Sequence, residues 1–269
     1  MLITSQFVVL NLPKTGSSFV REVIKRIYAR RRWRWRADRF LKELMLPRGG
    51  GRYPGVDQHG WATQVPAAYR HLPLVSVVRS PYERLLSVYE FRWWADHPNL
   101  PVAELVRHFP HFPELTLEDF IRLWDWEVTD RLGGSNPLGL GHQTVQFVNF
   151  FFRDPQRALR SLSDDYVDSG AFRADMADVT FLRQERLRNE LASWLQRFAF
   201  AEHEVELCRN HPQVNRTVGG VAPRPSLWTP RALEAVATRE RFLLRMLAQL
   251  GFPYEAPALP CPVQAGAAV

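Results

Sequence analysis

The side chains best suited to chemistry lie in a short polar segment, Pro13-Lys-Thr-Gly-Ser-Ser18. An apolar β-type run at residues 7–10 precedes it, and a helix-like segment at residues 19–28 follows it. A strand, a tight loop and a helix in this order collect backbone N–H groups around an anion. Lys14 adds a positive charge. Three hydroxyl side chains follow it: Thr15, Ser17 and Ser18. The segment predicts a phosphate-binding loop, although an ordinary β–turn–α connection with a solvated lysine is the alternative.

Arg79 ends a second apolar run, residues 71–78, whose β-branched character is typical of a buried strand. A proline turn follows, then a predicted helix over residues 82–94 that carries Ser87. Ligands of open α/β sheets bind at the carboxyl ends of strands, so Arg79 is expected at the edge of a site. Its guanidinium can hold a phosphate through two parallel hydrogen bonds. The alternative is a surface charge at a strand end and an unremarkable serine in a helix.

The first loop is not the Walker A motif G-x-x-x-x-G-K-[ST], because its lysine precedes its glycine. The order of residues 13–18 resembles instead the 5′-phosphosulfate loop of sulfotransferases that use PAPS (3′-phosphoadenosine 5′-phosphosulfate). Arg79-Ser-Pro, with Ser87 eight residues after the arginine, resembles the 3′-phosphate motif of the same family. The two motifs in this order resemble the branch that contains the heparan sulfate 2-O-sulfotransferases.

The resemblance implies transfer of a sulfuryl group from PAPS to a hydroxyl of a carbohydrate or small-metabolite acceptor, with no metal. It also implies that Arg79 and Ser87 hold the 3′-phosphate and that Lys14 is the cation near the bridging oxygen. The residues implied around the 5′-phosphosulfate are Lys14, Thr15, Gly16, Ser17 and Ser18. Arg216 and Thr217 lie in a late basic loop that occupies the place of the family's nucleotide-covering loop.

The acceptor hydroxyl must lose a proton, which requires a base with a pKa near the working pH. His59 in Gln58-His-Gly60 is the candidate, since the family carries a His-Gly-His element here. Trp61 occupies the second histidine position in this chain, so His59 is either the base or a structural neighbour. His142, in a later glycine loop, is the reserve candidate.

Other polar and aromatic residues near the motifs are assigned no chemistry. Three charges on the helix after Arg79 are expected to be ordinary helix charges, with Glu90 facing the cleft as the alternative for that residue: Glu83, Arg84 and Glu90. Four tryptophans are expected to pack in the core or in a lid rather than to bind an acceptor: Trp93, Trp94, Trp124 and Trp126.

The composition is that of a globular protein, with 46% hydrophobic and 23% charged residues. The mean hydropathy is −0.26, and no apolar run approaches the ~20 residues that a membrane span requires. No signal peptide is evident. Cys208 and Cys261 are far apart and match no metal or redox spacing. These features predict a cytoplasmic protein.

The net charge of +7 and the pI near 9.8 indicate an anionic partner. Much of the excess lies at residues 25–36, where basic residues alternate with tryptophans. This cluster suits nucleic acid, an acidic membrane surface or an anionic glycan, but equally a solvated helix end. Two alternatives to sulfuryl transfer therefore stay open. One is a P-loop-type nucleotide or small-molecule kinase, and the other is a non-enzymatic protein that binds nucleic acid or an anionic glycan.

Strands separated by helices predict an α/β protein. The expected architecture is a three-layer α/β/α, P-loop-like fold around a central, mainly parallel sheet. We predict a single domain over residues 1–256 with insertions around 30–56 and 96–141, and a flexible tail at 257–269. A final helix is expected from Thr229 to about Leu250, with Thr229 as its N-cap.

Overall fold

The computed structural model of the chain describes residues 1–31, 41–44, 46–47, 56–212 and 227–259. Most of the predicted insertion at 30–56 and residues 260–269 of the predicted tail lie outside this description, as do residues 32–36 of the basic cluster. Within the described ranges, no helix is both long enough and apolar enough to cross a membrane.

The protein belongs to the α/β class, as the sequence predicts, but its main sheet is mixed rather than mainly parallel, with two parallel and two antiparallel pairings among the described strands. The spatial order of the strands is β3-β1-β2-β6-β7. β2 pairs in parallel with β6, and β6 with β7, whereas β1 is antiparallel to both β2 and β3. A two-stranded ribbon joins β4 and β5. The strands are β1 (Leu2–Thr4), β2 (Val8–Leu10), β3 (Leu41–Glu43), β4 (Leu46–Pro47), β5 (Val56–Asp57), β6 (Leu74–Val78) and β7 (Val179–Arg183).

Helices make up most of the rest of the described chain, and several are short. They are α1 (Ser17–Arg31), α2 (Pro81–Phe91), α3 (Trp93–Asp96), α4 (Val102–His108), α5 (Leu117–Arg131), α6 (His142–Phe151), α7 (Pro155–Ser161), α8 (Asp164–Asp168), α9 (Phe172–Asp175), α10 (Leu187–Gln196), α11 (Glu202–Asn210), α12 (Pro230–Arg239) and α13 (Arg241–Gln249).

The side chains of the sheet alternate between two hydrophobic clusters, as the two-residue period of a strand requires. Val8 and Leu10 join a cluster that includes residues of α6, α9 and α13. Val9 joins another, with residues of α1, α10 and α11. A third cluster contains no residue of the main sheet and unites α2, α4, α5 and α12. The predicted insertion around 96–141 contributes α4 and α5 to this third cluster.

Two predicted helices are interrupted, and one further strand precedes the predicted ones. The predicted strand at residues 7–10 forms as β2, and β1 lies antiparallel to it because the chain turns back after Thr4, whose Oγ1 accepts hydrogen bonds from the N–H groups of Gln6 and Phe7. The predicted helix 82–94 ends at Phe91, and Arg92 adopts a left-handed backbone (φ 54°) before α3. The predicted final helix is interrupted at Glu240 between α12 and α13.

Candidate functional site

The two predicted anion-binding segments lie side by side. β2 and β6 are parallel neighbours, with Leu10 opposite Ser76, so their carboxyl ends open at the same edge of the sheet. The Lys14 loop leaves β2 at that edge, and Arg79 leaves β6 there. Arg79 Nη1 donates a hydrogen bond of 3.2 Å to the Lys14 carbonyl oxygen. Residues of both segments, Thr15 and Arg79, line one small crevice.

The backbone of the first loop has an unusual shape. Lys14 adopts a left-handed conformation (φ 62°), which costs on the order of 1 kcal/mol for a residue with a side chain. Gly16 also has a positive φ of 96°, and a Cβ there would approach Leu187 Cδ2 to 2.9 Å. α1 begins at Ser17 with no acidic residue in its first turn, so its N-terminal partial positive charge is not offset locally.

The hydroxyl groups of the loop divide into inward and outward sets. Thr15 Oγ1 and Ser17 Oγ both donate to the Leu12 carbonyl oxygen, at 2.9 and 3.1 Å, and these two side chains are buried. They stabilise the shape of the loop from inside. Ser18, the second residue of α1, is only partly buried. An anion at this loop would therefore meet the Ser18 side chain and backbone N–H groups more readily than the Thr15 or Ser17 hydroxyls.

Arg79 is held in place at the mouth of the crevice. Its side chain is 12% exposed, and Nη2 forms an ion pair with Glu83 Oε2 at 3.4 Å, one helical turn away. The Glu83 carboxylate is more exposed and forms the outer partner of this pair. Ser87 lies further along α2 and is buried, with 6% of its surface exposed.

Arg84 is a functional candidate that sequence reasoning missed. The prediction that it is an ordinary helix charge is wrong, because only 3% of the residue is exposed. Its Nε donates to the Pro13 carbonyl oxygen at 2.9 Å, and its other nitrogens donate to the side-chain oxygens of Gln143 and Gln146. Burial lowers its pKa to about 10, with Arg79 adding to the decrease and Glu240 opposing it. The apolar residues next to Arg84 on α2 could have indicated from the sequence that this part of the helix is buried.

The candidate base is attached to the same sheet edge. His59 Nδ1 lies 2.6 Å from the carbonyl oxygen of Asn11, the residue that follows β2. A carbonyl oxygen can only accept, so Nδ1 carries the proton and Nε2 is the nitrogen that can take one. Asn11 also donates from Nδ2 to the Gln58 carbonyl oxygen at 3.3 Å. Asn11 therefore positions His59, a role that its place directly after an apolar strand could have suggested.

His142 is poorly suited to the role of reserve base. It is the first residue of α6, stacked on Trp124 at 4.3 Å between ring centroids. Arg131 Nη1 lies 3.0 Å from its Nε2 and can only donate, so this nitrogen is an acceptor that is already engaged. Burial and the charges of Arg131 and Arg84 hold the pKa of His142 well below 6.5.

The predicted nucleotide contacts of Arg216 and Thr217 lie outside the described residues. The described residues on either side of that loop do contact the site helices. The His211 ring packs edge-on against Phe19 in α1, with 5.7 Å between centroids. Trp228 packs against Tyr82 in α2 at 5.8 Å. The two ends of the loop thus flank the first turns of the helices that follow Lys14 and Arg79.

Trp94 and Trp124 are buried, as core packing predicts, and Trp126 is partly buried, whereas Trp93 does not pack in the core. Trp93 is 43% exposed and lies nearly parallel to Phe91, which is 54% exposed. The Lys14 ammonium lies over the Phe91 ring, 3.6 Å from its centroid.

Comparison with protein-family models found none that matches the chain, and comparison with curated proteins found no match either.

Proposed function

We propose that the protein is a sulfotransferase that moves a sulfuryl group from PAPS to an acceptor hydroxyl. The observation that carries the proposal is the hydrogen bond from Arg79 to the Lys14 carbonyl. It joins a loop suited to one phosphate and an arginine suited to another in a single crevice. A nucleotide with anionic groups at both ends of its ribose requires this combination.

The proposed reaction is an in-line displacement at sulfur. The acceptor oxygen attacks the sulfur as the bond between sulfur and the 5′-phosphate oxygen breaks, and 3′-phosphoadenosine 5′-phosphate (PAP) leaves. The hydroxyl proton passes to His59 Nε2. Charge on the leaving phosphate is offset by Lys14, Arg79 and the start of α1, in a site that chiefly positions the reactants. The proposed step uses groups of this chain alone and assigns no role to a metal ion.

We further propose a three-layer, P-loop-like arrangement for the sheet and its helices. Its support is the alternation of strand residues between two hydrophobic clusters that recruit different helices. In such sheets the crevice at the carboxyl ends of parallel strands is the usual ligand site. A cytoplasmic location stays a prediction.

Ligand-induced stabilisation tests the donor site. We expect PAP at one hundred times its dissociation constant to raise the melting temperature by about 5 °C, since a ligand that binds only the folded state stabilises it. Arg79→Ala should remove this shift, and Arg107→Ala, at an exposed arginine on α4, should retain it. A shift with ATP–Mg²⁺ and none with PAP would contradict the proposal and favour a kinase.

Transfer of labelled sulfate from PAPS tests the base. We expect His59→Ala to lower kcat by roughly 10²- to 10⁴-fold, the usual contribution of a general base. His71→Ala removes an exposed histidine and is the matched control. Full turnover by His59→Ala would show that His59 is structural, while the donor site would still stand.

A further inference from the structure

The exposed aromatic side chains of the described residues are concentrated beside Lys14. Among those residues the large hydrophobic side chains exposed to solvent are two aromatic and three aliphatic ones, and the two aromatic ones are Phe91 and Trp93. Their rings are close to parallel, with 14° between planes. His97 continues the stack on Trp93, with 3.7 Å between centroids and 6° between planes. We call these three rings the aromatic platform.

Local structure positions the rings of the aromatic platform before any ligand binds. The left-handed Arg92 ends α2 and starts α3, which places Phe91 and Trp93 on neighbouring positions of a bend. The Arg92 guanidinium is held by both carboxylate oxygens of Glu114, at 3.0 and 2.7 Å. A rigid apolar surface of this kind binds a flat ring with little loss of conformational freedom.

We infer that the aromatic platform binds the acceptor, and that the acceptor is an aromatic alcohol whose ring stacks on Trp93 and Phe91. The inference rests on the proposed sulfuryl transfer and extends it to a substrate class. It places the phenolic oxygen near Lys14, because the Lys14 ammonium already touches the Phe91 ring. The phenolic oxygen would form the new bond to sulfur and give its proton to His59.

The chemistry of the acceptor favours an aromatic alcohol over a sugar hydroxyl. The Lys14 ammonium contacts the Phe91 ring and would lie close to the oxygen of a ring stacked there. Arg92, the cation between the two exposed rings, is already paired with Glu114. A phenol is also an easier substrate for a histidine base. Its pKa near 10 lies much closer to the pKa of histidine than the pKa of an aliphatic alcohol does.

The test uses 2-naphthol as the aromatic probe, with methyl β-D-glucopyranoside and methyl β-D-glucuronide as sugar probes. We expect transfer of labelled sulfate from PAPS to 2-naphthol. Trp93→Leu and Phe91→Leu should each raise KM for 2-naphthol about fivefold, the effect of losing one stacked ring. KM for PAPS should be unchanged in Trp93→Leu. Trp126→Leu removes an indole that contacts His108 and Phe109 instead, and should leave both constants unchanged.

The outcomes separate this inference from the proposed function. If PAP raises the melting temperature but the sugars are sulfated and 2-naphthol is not, the platform inference is wrong and the donor site stands. An unchanged KM for 2-naphthol in both platform variants would likewise overturn the platform inference alone. If PAP does not stabilise the wild-type protein, the sulfotransferase proposal fails, and the inference fails with it.

Discussion

A single buried guanidinium joins the anion-binding loop to the helical part of the protein. Arg84 donates to the Pro13 carbonyl oxygen on one side and to two glutamine side chains of α6 on the other. A buried charge of this kind is tolerated only where each of its donors has an acceptor. The position of the residue before Lys14 therefore depends on α6, although these segments are far apart in the chain.

Removing this guanidinium should weaken the fold more than removing a surface one. We expect Arg84→Ala to lower the free energy of unfolding by about 3 kcal/mol, because it leaves three acceptors without their donor. The free energy of unfolding of Arg84→Lys should lie between those of the wild-type protein and Arg84→Ala, since one ammonium cannot reach all three acceptors. Urea unfolding measures both. Arg122→Ala, whose side chain is 68% exposed, should change stability by less than about 0.5 kcal/mol. Equal effects of Arg84→Ala and Arg122→Ala would contradict the proposed role of the guanidinium.

At the scale of elements, the interruption between α12 and α13 places a carboxylate at the N-terminus of α6. Glu240 sits at the interruption and is buried. Its carboxylate accepts from the N–H groups of Gln143 and Thr144 at 3.0 and 2.7 Å, and from the Thr144 hydroxyl at 2.7 Å. A Cβ at Gly141 would come within 2.2 Å of Glu240 Oε1, so only glycine leaves room for this contact. The carboxylate of one element thus caps another.

Replacing the Glu240 carboxylate should destabilise the junction of α6, α12 and α13. We expect Glu240→Gln to lower the free energy of unfolding by about 1–2 kcal/mol at pH 7.5, because the amide NH₂ would face N–H donors at the helix start. Glu234→Gln, at an exposed position on α12, is the matched control and should have little effect. Guanidinium unfolding of the two variants side by side makes the comparison. A Glu240→Gln protein as stable as Glu234→Gln would show that the carboxylate does not act as a cap.

For the whole molecule, the arrangement of β2, β6 and β7 determines where the candidate site lies. These three strands run in parallel, and their carboxyl ends carry the Lys14 loop, Arg79 and the turn that approaches Gly16. β1, which is antiparallel to both of its neighbours, and β3 extend the sheet beyond β2. Helices α6, α12 and α13 close the region behind Arg84.

The pH dependence of the free energy of unfolding should reveal the lowered pKa of His142. A histidine whose pKa falls on folding contributes stability that is complete above its unfolded pKa near 6.5 and is lost as pH decreases. Between pH 7.5 and 5.5, we expect the wild-type protein to lose about 1 kcal/mol more than His142→Gln. The glutamine oxygen can still accept from Arg131, and other titrating groups are common to both proteins. Parallel stability curves would contradict the placement of His142.

The local parts of this structure were predictable and the long-range ones were not. The apolar runs before Lys14 and Arg79 indicate strands, and the segments after them indicate helices, so both halves of the crevice follow from the sequence. Thr229 does cap its helix. The interruption at Glu240 has no glycine or proline to announce it, because its cause is a contact with α6. The burial of Arg84 and the exposure of Trp93 could not be predicted for a similar reason: their environments come from segments distant in the chain and from a bend at Arg92.

The left-handed backbone of Lys14 lowers the stability of the fold by on the order of 1 kcal/mol. Glycine would occupy that conformation without strain, so selection for stability alone would replace the lysine. Directed evolution for heat resistance would therefore be drawn toward the residue that supplies the ammonium in the proposed reaction. Libraries built for thermal tolerance should keep this position fixed.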